Sequence, residues 1–299
     1  MKLHGIFGPL VTPFEADGSV ALGQVRSNVT LYNKTKLAGY VPNGSTSESV
    51  LLRWEEVYKV WEAVRDAAAP EKILIAGTGA ESTAETIEHT NRAAKIGYAV
   101  ALVRTPSFYK PSINDHMLAE HYLRVADAAR IPVMVYSVPV FTHVTVGASL
   151  IEHVGKHPNI VGMKDSSGDM EGIAAIIAAA PKEFQTLTGS ASTVHEALQV
   201  GAVGAILGLA DAFPDLCVEI YEAAGAGDRT RAQTLAQKLV APSKMLLMDY
   251  GIAGLKYAME RLGFYGGLPR PPLLGVSDAG KLEIEAMLAN LISQPAHHL

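Results

Sequence analysis

The sequence predicts an α/β chain folded as a (β/α)8 TIM barrel with a small helical C-terminal segment, and three observations carry that expectation. Eight short β-type runs alternate with amphipathic helical stretches between residue 5 and about residue 209. Most runs are apolar on both faces, as parallel strands covered by helices must be. After about residue 213 the strand signals stop and only helical patterns follow. A doubly wound open sheet is the rival. The strand count and the lack of a G-x-G-x-x-G turn after the first strand disfavour it.

Taken in order, the strand runs are GIFGPLVT (5–12), AGYVP (38–42), ILIAGT (73–78), AVALVRT (99–105), PVMVYS (132–137), IVGMKD (160–165), QTLTG (185–189) and VGAILGL (203–209). Between them, stretches such as 54–69, 83–96, 115–129 and 193–200 put Glu, Arg or Lys on one face and Ala, Val, Leu or Ile on the other. Gly77-Thr78-Gly79 reads as the tight turn leaving the third strand rather than as a phosphate cradle. Helical patterns at 213–224, 228–248, 251–262 and 278–293 are interrupted by the Gly- and Pro-containing stretch 263–269. The expected division is a catalytic barrel over 1–225 and a helical segment over 226–299.

Composition narrows the function. Of 299 residues, 48% are hydrophobic and 18% charged, with a formal charge of −5 dispersed along the chain. There is no basic footprint for nucleic acid, and no apolar run is long enough for a membrane span. The single cysteine, Cys217, excludes an intrachain disulfide and a thiolate-rich metal site, and its apolar neighbours mark it as a core residue. The opening residues lack the pattern of a signal peptide, so a cytoplasmic location is expected. His116 and His121 are five apart, off the i, i+4 geometry of a shared ion. No metal and no cofactor are expected.

In a barrel the chemistry sits at the carboxyl ends of the strands. The sixth run carries a lysine there, Lys164. Desolvation in an apolar strand disfavours the ammonium form, and a neutral amine attacks a carbonyl carbon to give a Schiff base. The competing interpretation is a lysine whose stem is buried while its head reaches water. The strand period of two sets Lys164 and Ser166 on one face, with Met163 and Asp165 on the other, where Asp165 would tie down neighbouring backbone. Tyr136, at the end of the fifth run, is placed either as a proton-relaying phenol or as a rim aromatic. Ser45 and Thr46 form either a neutral donor cluster for a carboxylate or a solvated, helix-capping turn.

With these positions named, the chain resembles the dihydrodipicolinate synthase / N-acetylneuraminate lyase family of class I aldolases. The likeness runs from about residue 5 to 275 through GPLVTPF (8–14), GSTSES (44–49), TPSFYKP (105–111), YSVP (136–139), GMKDSSGD (162–169), GSAS (189–192), GAVGAIL (201–207) and GIAGLK (251–256). YSVP followed about two dozen residues later by GMKDSSGD is the specific part. The resemblance implies a barrel assembled as a homotetramer, a dimer of dimers. It implies that Lys164 forms a Schiff base with pyruvate or a related small 2-oxo acid and that Tyr136 is the acid/base phenol. Ser45 and Thr46 would hold the pyruvyl carboxylate, with Gly189 and Ile206 lining the pocket.

Departures from the family pattern bear on the substrate. Where synthases of this family carry an arginine that grips the partner aldehyde's carboxylate, this chain has Phe141, and where they carry a tyrosine reaching across the dimer it has Phe108. The first Thr of their GTTGES is Ser45 and its Gly is Ser47; His143 also departs from the usual pattern. KDSSGD and YSVP look closer to 4-hydroxy-2-oxoglutarate aldolase. The expected activity is therefore cleavage or formation of the C3–C4 bond of a 4-hydroxy-2-oxo acid with pyruvate released. The alternatives are a 2-keto-3-deoxy sugar-acid aldolase or dehydratase, a dihydrodipicolinate synthase-like activity, and a non-catalytic barrel that binds 2-oxo acids.

Overall fold

The computed structural model describes residues 1–293; of the expected C-terminal segment, residues 294–299 lie outside the described residues. Eight parallel strands close into a barrel in chain order: β1 (Gly5–Gly8), β2 (Gly39–Tyr40), β3 (Ile73–Gly77), β4 (Val100–Arg104), β5 (Val133–Ser137), β6 (Ile160–Asp165), β7 (Gln185–Thr188) and β8 (Gly204–Ile206). β8 pairs back onto β1 through Gly5 and Gly204, which closes the sheet and excludes the open-sheet rival. Every expected strand run contains an observed strand. The first is shorter than its apolar pattern suggested. Pro9 has no N–H for the ladder and Leu10 turns to φ 38°, so β1 ends at Gly8.

The helices that follow the strands are α1 (Leu22–Tyr32), α2 (Trp54–Ala67), α3 (Thr83–Ile96), α4 (Asp115–Ala128), the short α5 (Pro139–Thr142), α6 (Ala148–Val154), α7 (Met170–Ala179), α8 (Val194–Gln199) and α9 (Pro214–Gly225). Several start on a side-chain cap, which fixes where the strand-end loop stops. Ser82 accepts from the Glu85 N–H, Asn114 from the Met117 N–H and Asp169 from the Gly172 N–H. Beyond the barrel run α10 (Arg229–Ser243), α11 (Gly251–Arg261) and α12 (Asp278–Ser293). The single helix expected over 228–248 is divided: α10 stops at Ser243 and a π-helical stretch, Lys244–Asp249, carries the chain to α11. Pro242 removes an N–H donor just before the change. Among the described residues no helix is long and apolar enough to cross a membrane.

The strands' two faces bury into different cores. Phe7, Val41, Ile75, Leu102, Met134, Leu187 and Ile206 fill the barrel interior. The alternate residues Ala101, Val103, Val133, Val135 and Met163 pack instead on Leu118, Tyr122, Leu150 and Ile176 of the surrounding helices. This alternation is why the strands are apolar throughout, and it sends Met163 outward while Lys164 turns inward. Cys217 is buried in the helical layer and burial pushes its thiol up, as a core residue rather than a nucleophile.

The C-terminal helices are fastened to the barrel through charge. Lys256 of α11 is fully buried, ion-paired with Glu48, and donates to the Thr12 and Leu268 carbonyls at 2.8 and 3.1 Å. The Arg270 guanidinium forks onto Glu56 with two 2.7 Å bonds, and its backbone N–H donates to Glu48 at 2.7 Å. Lys256 and Arg270 both lie over the Phe14 ring, each at 4.4 Å from its centroid. Removing one partner of a buried pair strands the other charge, at a cost of about 3–5 kcal/mol. Lys256→Met should therefore lower unfolding free energy in urea by that order. Adding Glu48→Gln to it should restore much of the loss, whereas additive losses in the double variant would show that the pair is not coupled.

Candidate active site

At the carboxyl end of the barrel, register sets three polar side chains in one layer. Arg104 of β4 is paired with Tyr136 of β5, and Tyr136 with Lys164 of β6. Paired residues of neighbouring parallel strands project from the same face, so the three share the level at which the interior opens. The Lys164 amine is buried and donates to the Tyr136 hydroxyl at 3.4 Å, its one hydrogen-bond partner among the described residues. The same nitrogen lies 4.4 Å from the centre of the Tyr136 ring. The Tyr136 hydroxyl in turn lies 3.3 Å from the Ser45 hydroxyl. Lysine, phenol and serine thus form a continuous polar chain at the open end of the barrel.

The other expected residues divide. Ser166 is beside Lys164 as the period predicts: a β-carbon placed on Gly189 would collide with the Ser166 hydroxyl and sit 2.8 Å from Lys164 Cε. Glycine at 189 is what leaves room for the lysine stem. Ile206 is fully buried in the interior cluster with Tyr136 and Leu187 and forms an apolar wall. Thr46 lies on the same loop as Ser45 but turns another way. Its hydroxyl makes no hydrogen bond among the described residues and faces the Gly208 backbone after β8, while Ser45 turns to Tyr136. Asp165 ties down backbone as expected: its carboxylate accepts the Ser167 N–H at 2.9 Å, and burial pushes its pKa up.

Ser47 pins this loop from within. It is fully buried, and its hydroxyl reaches the carbonyls of Pro9 and Leu10 at 2.9 and 2.6 Å. Thr12 returns a bond to the Ser47 carbonyl at 2.8 Å, tying the β1 and β2 loops together. Phe108, Tyr109 and Phe141 are largely exposed, and His143 is exposed in a left-handed turn after α5. None of them reaches the Lys164 amine. His121 is a buried core histidine held at 2.9 Å from the Thr83 hydroxyl, and burial pulls it down to about 4. Among the described residues no cluster of three metal-ligating side chains occurs.

Two residues of this region went unremarked in the sequence. Arg104 closes β4, and a strand register was needed to set it beside Tyr136. Asp211 is fully buried after β8; its Oδ2 accepts the Val11 N–H at 2.9 Å, while Oδ1 has no hydrogen-bond partner. Burial pushes Asp211 up to about 8, although the Val11 and Leu10 N–H groups and the charge of Lys164 favour its anion. The lone acid inside the apolar run GLADAF was the available signal. A carboxyl raised in this way supports the fold fully below its unfolded value near 3.8, and that support is lost as pH rises through about 8. Asp211→Asn should remove the dependence. The stability of the variant relative to the parent should grow by up to about 1.4 kcal/mol per pH unit across this window. Urea midpoints at pH 5 and pH 8 measure it, and parallel profiles would contradict the assignment.

Comparison with known proteins points to one family. The sequence model of the Dihydrodipicolinate synthetase family matches residues 2–291. A 4-hydroxy-tetrahydrodipicolinate synthase of Methanothrix thermoacetophila is 34% identical over 289 residues, 96% of this chain and 97% of its own. An uncharacterised DapA-like lyase of Halobacterium salinarum is 35% identical over 97% of this chain and 95% of its own. Among solved structures, the chloride-inhibited dihydrodipicolinate synthase of Acinetobacter baumannii, complexed with pyruvate, superposes with a TM-score of 0.92. It shares 29% identity over 97% of this chain and 99% of its own.

Proposed function

The chain belongs to the dihydrodipicolinate synthetase family and is a carbon–carbon lyase of that family; on that premise we propose that it binds a 2-oxo acid covalently at Lys164. The observation that carries this is the buried Lys164 amine 3.4 Å from the Tyr136 hydroxyl, itself 3.3 Å from Ser45. In its free-base form the amine adds to the C2 carbonyl of pyruvate. Tyr136 passes the protons that convert the carbinolamine to the imine and release water. The imine withdraws electrons, C3 loses a proton, and an enamine results. The enamine adds to an aldehyde carbon, the C3–C4 bond forms, and Tyr136 protonates the new alkoxide; water then frees the product from the lysine. Every step reverses for cleavage. Ser45 and Thr46 would meet the pyruvyl carboxylate with neutral donors, Ser166 would accompany the lysine, and Gly189 and Ile206 would shape the space around it.

Two substrates fit this chemistry. The names of the similar proteins favour the synthase direction, in which pyruvate condenses with an aldehyde. Phe141, exposed and uncharged, stands where the synthases carry their carboxylate-gripping arginine and weighs against the synthase direction, while the wording of KDSSGD and YSVP favours the aldolase direction with a 4-hydroxy-2-oxoglutarate-like substrate. We read 1–225 as the catalytic barrel and 226–299 as its brace, in a cytoplasmic homotetramer. Exposed Leu268, Leu274 and Leu282 support association between copies. Coupled assay of pyruvate, consumed with a panel of aldehydes or released from 4-hydroxy-2-oxo acids, decides between the directions; no change in pyruvate with any of them would reject both. Tyr136→Phe should lower kcat by about 10²–10⁴ while circular dichroism stays unchanged. Near-parental turnover would remove the phenol from the mechanism.

A further inference from the structure

The eight strands carry only two cationic side chains, Lys164 and Arg104, and both stand in the same layer at the open end of the barrel. Arg104 lies two residues beyond Leu102 and four beyond Val100, both of the interior cluster, so the strand period turns it inward too. With Ser45, Gly77, Gly79 and Tyr136 it lines one small cleft, which adjoins Lys164 through the Tyr136 hydroxyl. A β-carbon on Gly79 would meet Arg104 Cγ at 2.8 Å, so the glycine gives the arginine stem its place along the β3 loop. Only one corner of the guanidinium is occupied. Nη1 donates to Glu81 at 2.8 Å and to the Thr105 carbonyl at 3.4 Å, while Nε and Nη2 make no hydrogen bond among the described residues. Glu81 is itself held by the N–H groups of Ser107 and Phe108 at 2.8 and 3.0 Å, so it anchors the arginine without covering it.

We infer that Arg104 is a specificity-determining residue that receives a second, distal carboxylate of the substrate, so that the aldehyde half is itself an anion. This rests on the proposed imine at Lys164 and adds the chemical class of the other half. Two strand spacings, about 10 Å in all, separate the backbones of β4 and β6, and the long Lys164 and Arg104 side chains reach inward from them, so a short 2-oxo dicarboxylate held at one end by an imine suits the gap. The free Nε–Nη2 edge presents the planar fork that a carboxylate accepts in two parallel bonds. A neutral, polyhydroxylated aldehyde would leave that edge unmatched. Both directions of the proposed reaction are served by such a site, provided the aldehyde carries a carboxylate.

The test needs no turnover. 2-Oxoglutarate has the dicarboxylate form without a 4-hydroxyl, so it can form an imine but cannot be cleaved as an aldol. Borohydride trapping at increasing pyruvate or 2-oxoglutarate, read by intact mass, gives a half-saturating concentration for each. In Arg104→Gln the value for 2-oxoglutarate should rise about tenfold to a hundredfold, as for loss of a charged hydrogen bond, with pyruvate unchanged within about twofold. Equal shifts for both acids, no shift for 2-oxoglutarate, or a parent that traps pyruvate but not 2-oxoglutarate would each overturn the role of Arg104 and leave the Lys164 imine standing. A parent that traps neither acid would remove both. Should Arg104→Gln fail to fold, Arg104→Lys keeps the charge and loses the fork. A shift of about threefold or more for 2-oxoglutarate alone is then expected, and no selective shift overturns the assignment.

Discussion

Closing the sheet puts an amine where water is scarce, and the chemistry proposed for this chain depends on that constraint. An ammonium in an apolar lumen is costly unless a partner compensates it. Lys164 has a phenol beside it, with the ring face as well as the hydroxyl within reach, and no carboxylate in direct contact among the described residues. Two neighbouring features keep this possible. Gly189 removes the β-carbon that would displace the lysine stem, and Ile206 with Leu187 keeps the interior apolar beneath it. Barrel geometry, small-residue placement and nucleophile position are in this sense one property of the fold.

The helical C-terminal segment acts on the same site from outside. Glu48 immediately follows the Ser45–Ser47 loop, in a left-handed conformation, and its carboxylate holds both the α11 lysine and the backbone of Arg270. Ser47 fastens the loop from the other side through the carbonyls of Pro9 and Leu10. The hydroxyl that meets Tyr136 therefore sits on a loop gripped at both flanks. Such loops can present a donor with little loss of conformational entropy on binding. An acid and a lysine more than two hundred residues apart thus bear on one serine.

Much of this was legible in the sequence, and the parts that were not share a cause. Runs apolar on both faces exposed the parallel strands, and a lysine inside one of them marked the candidate centre, because both are local patterns. Strand ends were less legible where a backbone detail decides, as at Pro9 and Leu10. The chain's change from α to π geometry after Pro242 was hidden in a pattern that looked like one helix. Arg104, Asp211 and the Glu48–Lys256 pair were missed because their meaning lies in pairing. Arg104 reads as the last residue of a strand until register sets it beside Tyr136. Ser45 and Thr46, adjacent in sequence, have different neighbours in this structure, Tyr136 for the one and Gly208 for the other, because successive side chains in a tight turn point different ways.

The most direct test of the central claim is chemical. Pyruvate and borohydride are added to the protein, and the modified peptide is identified by mass. The account predicts one reduced pyruvyl adduct, on Lys164, and its disappearance in Lys164→Ala. An unmodified chain, or an adduct that persists at another lysine when Lys164 is replaced, would contradict it.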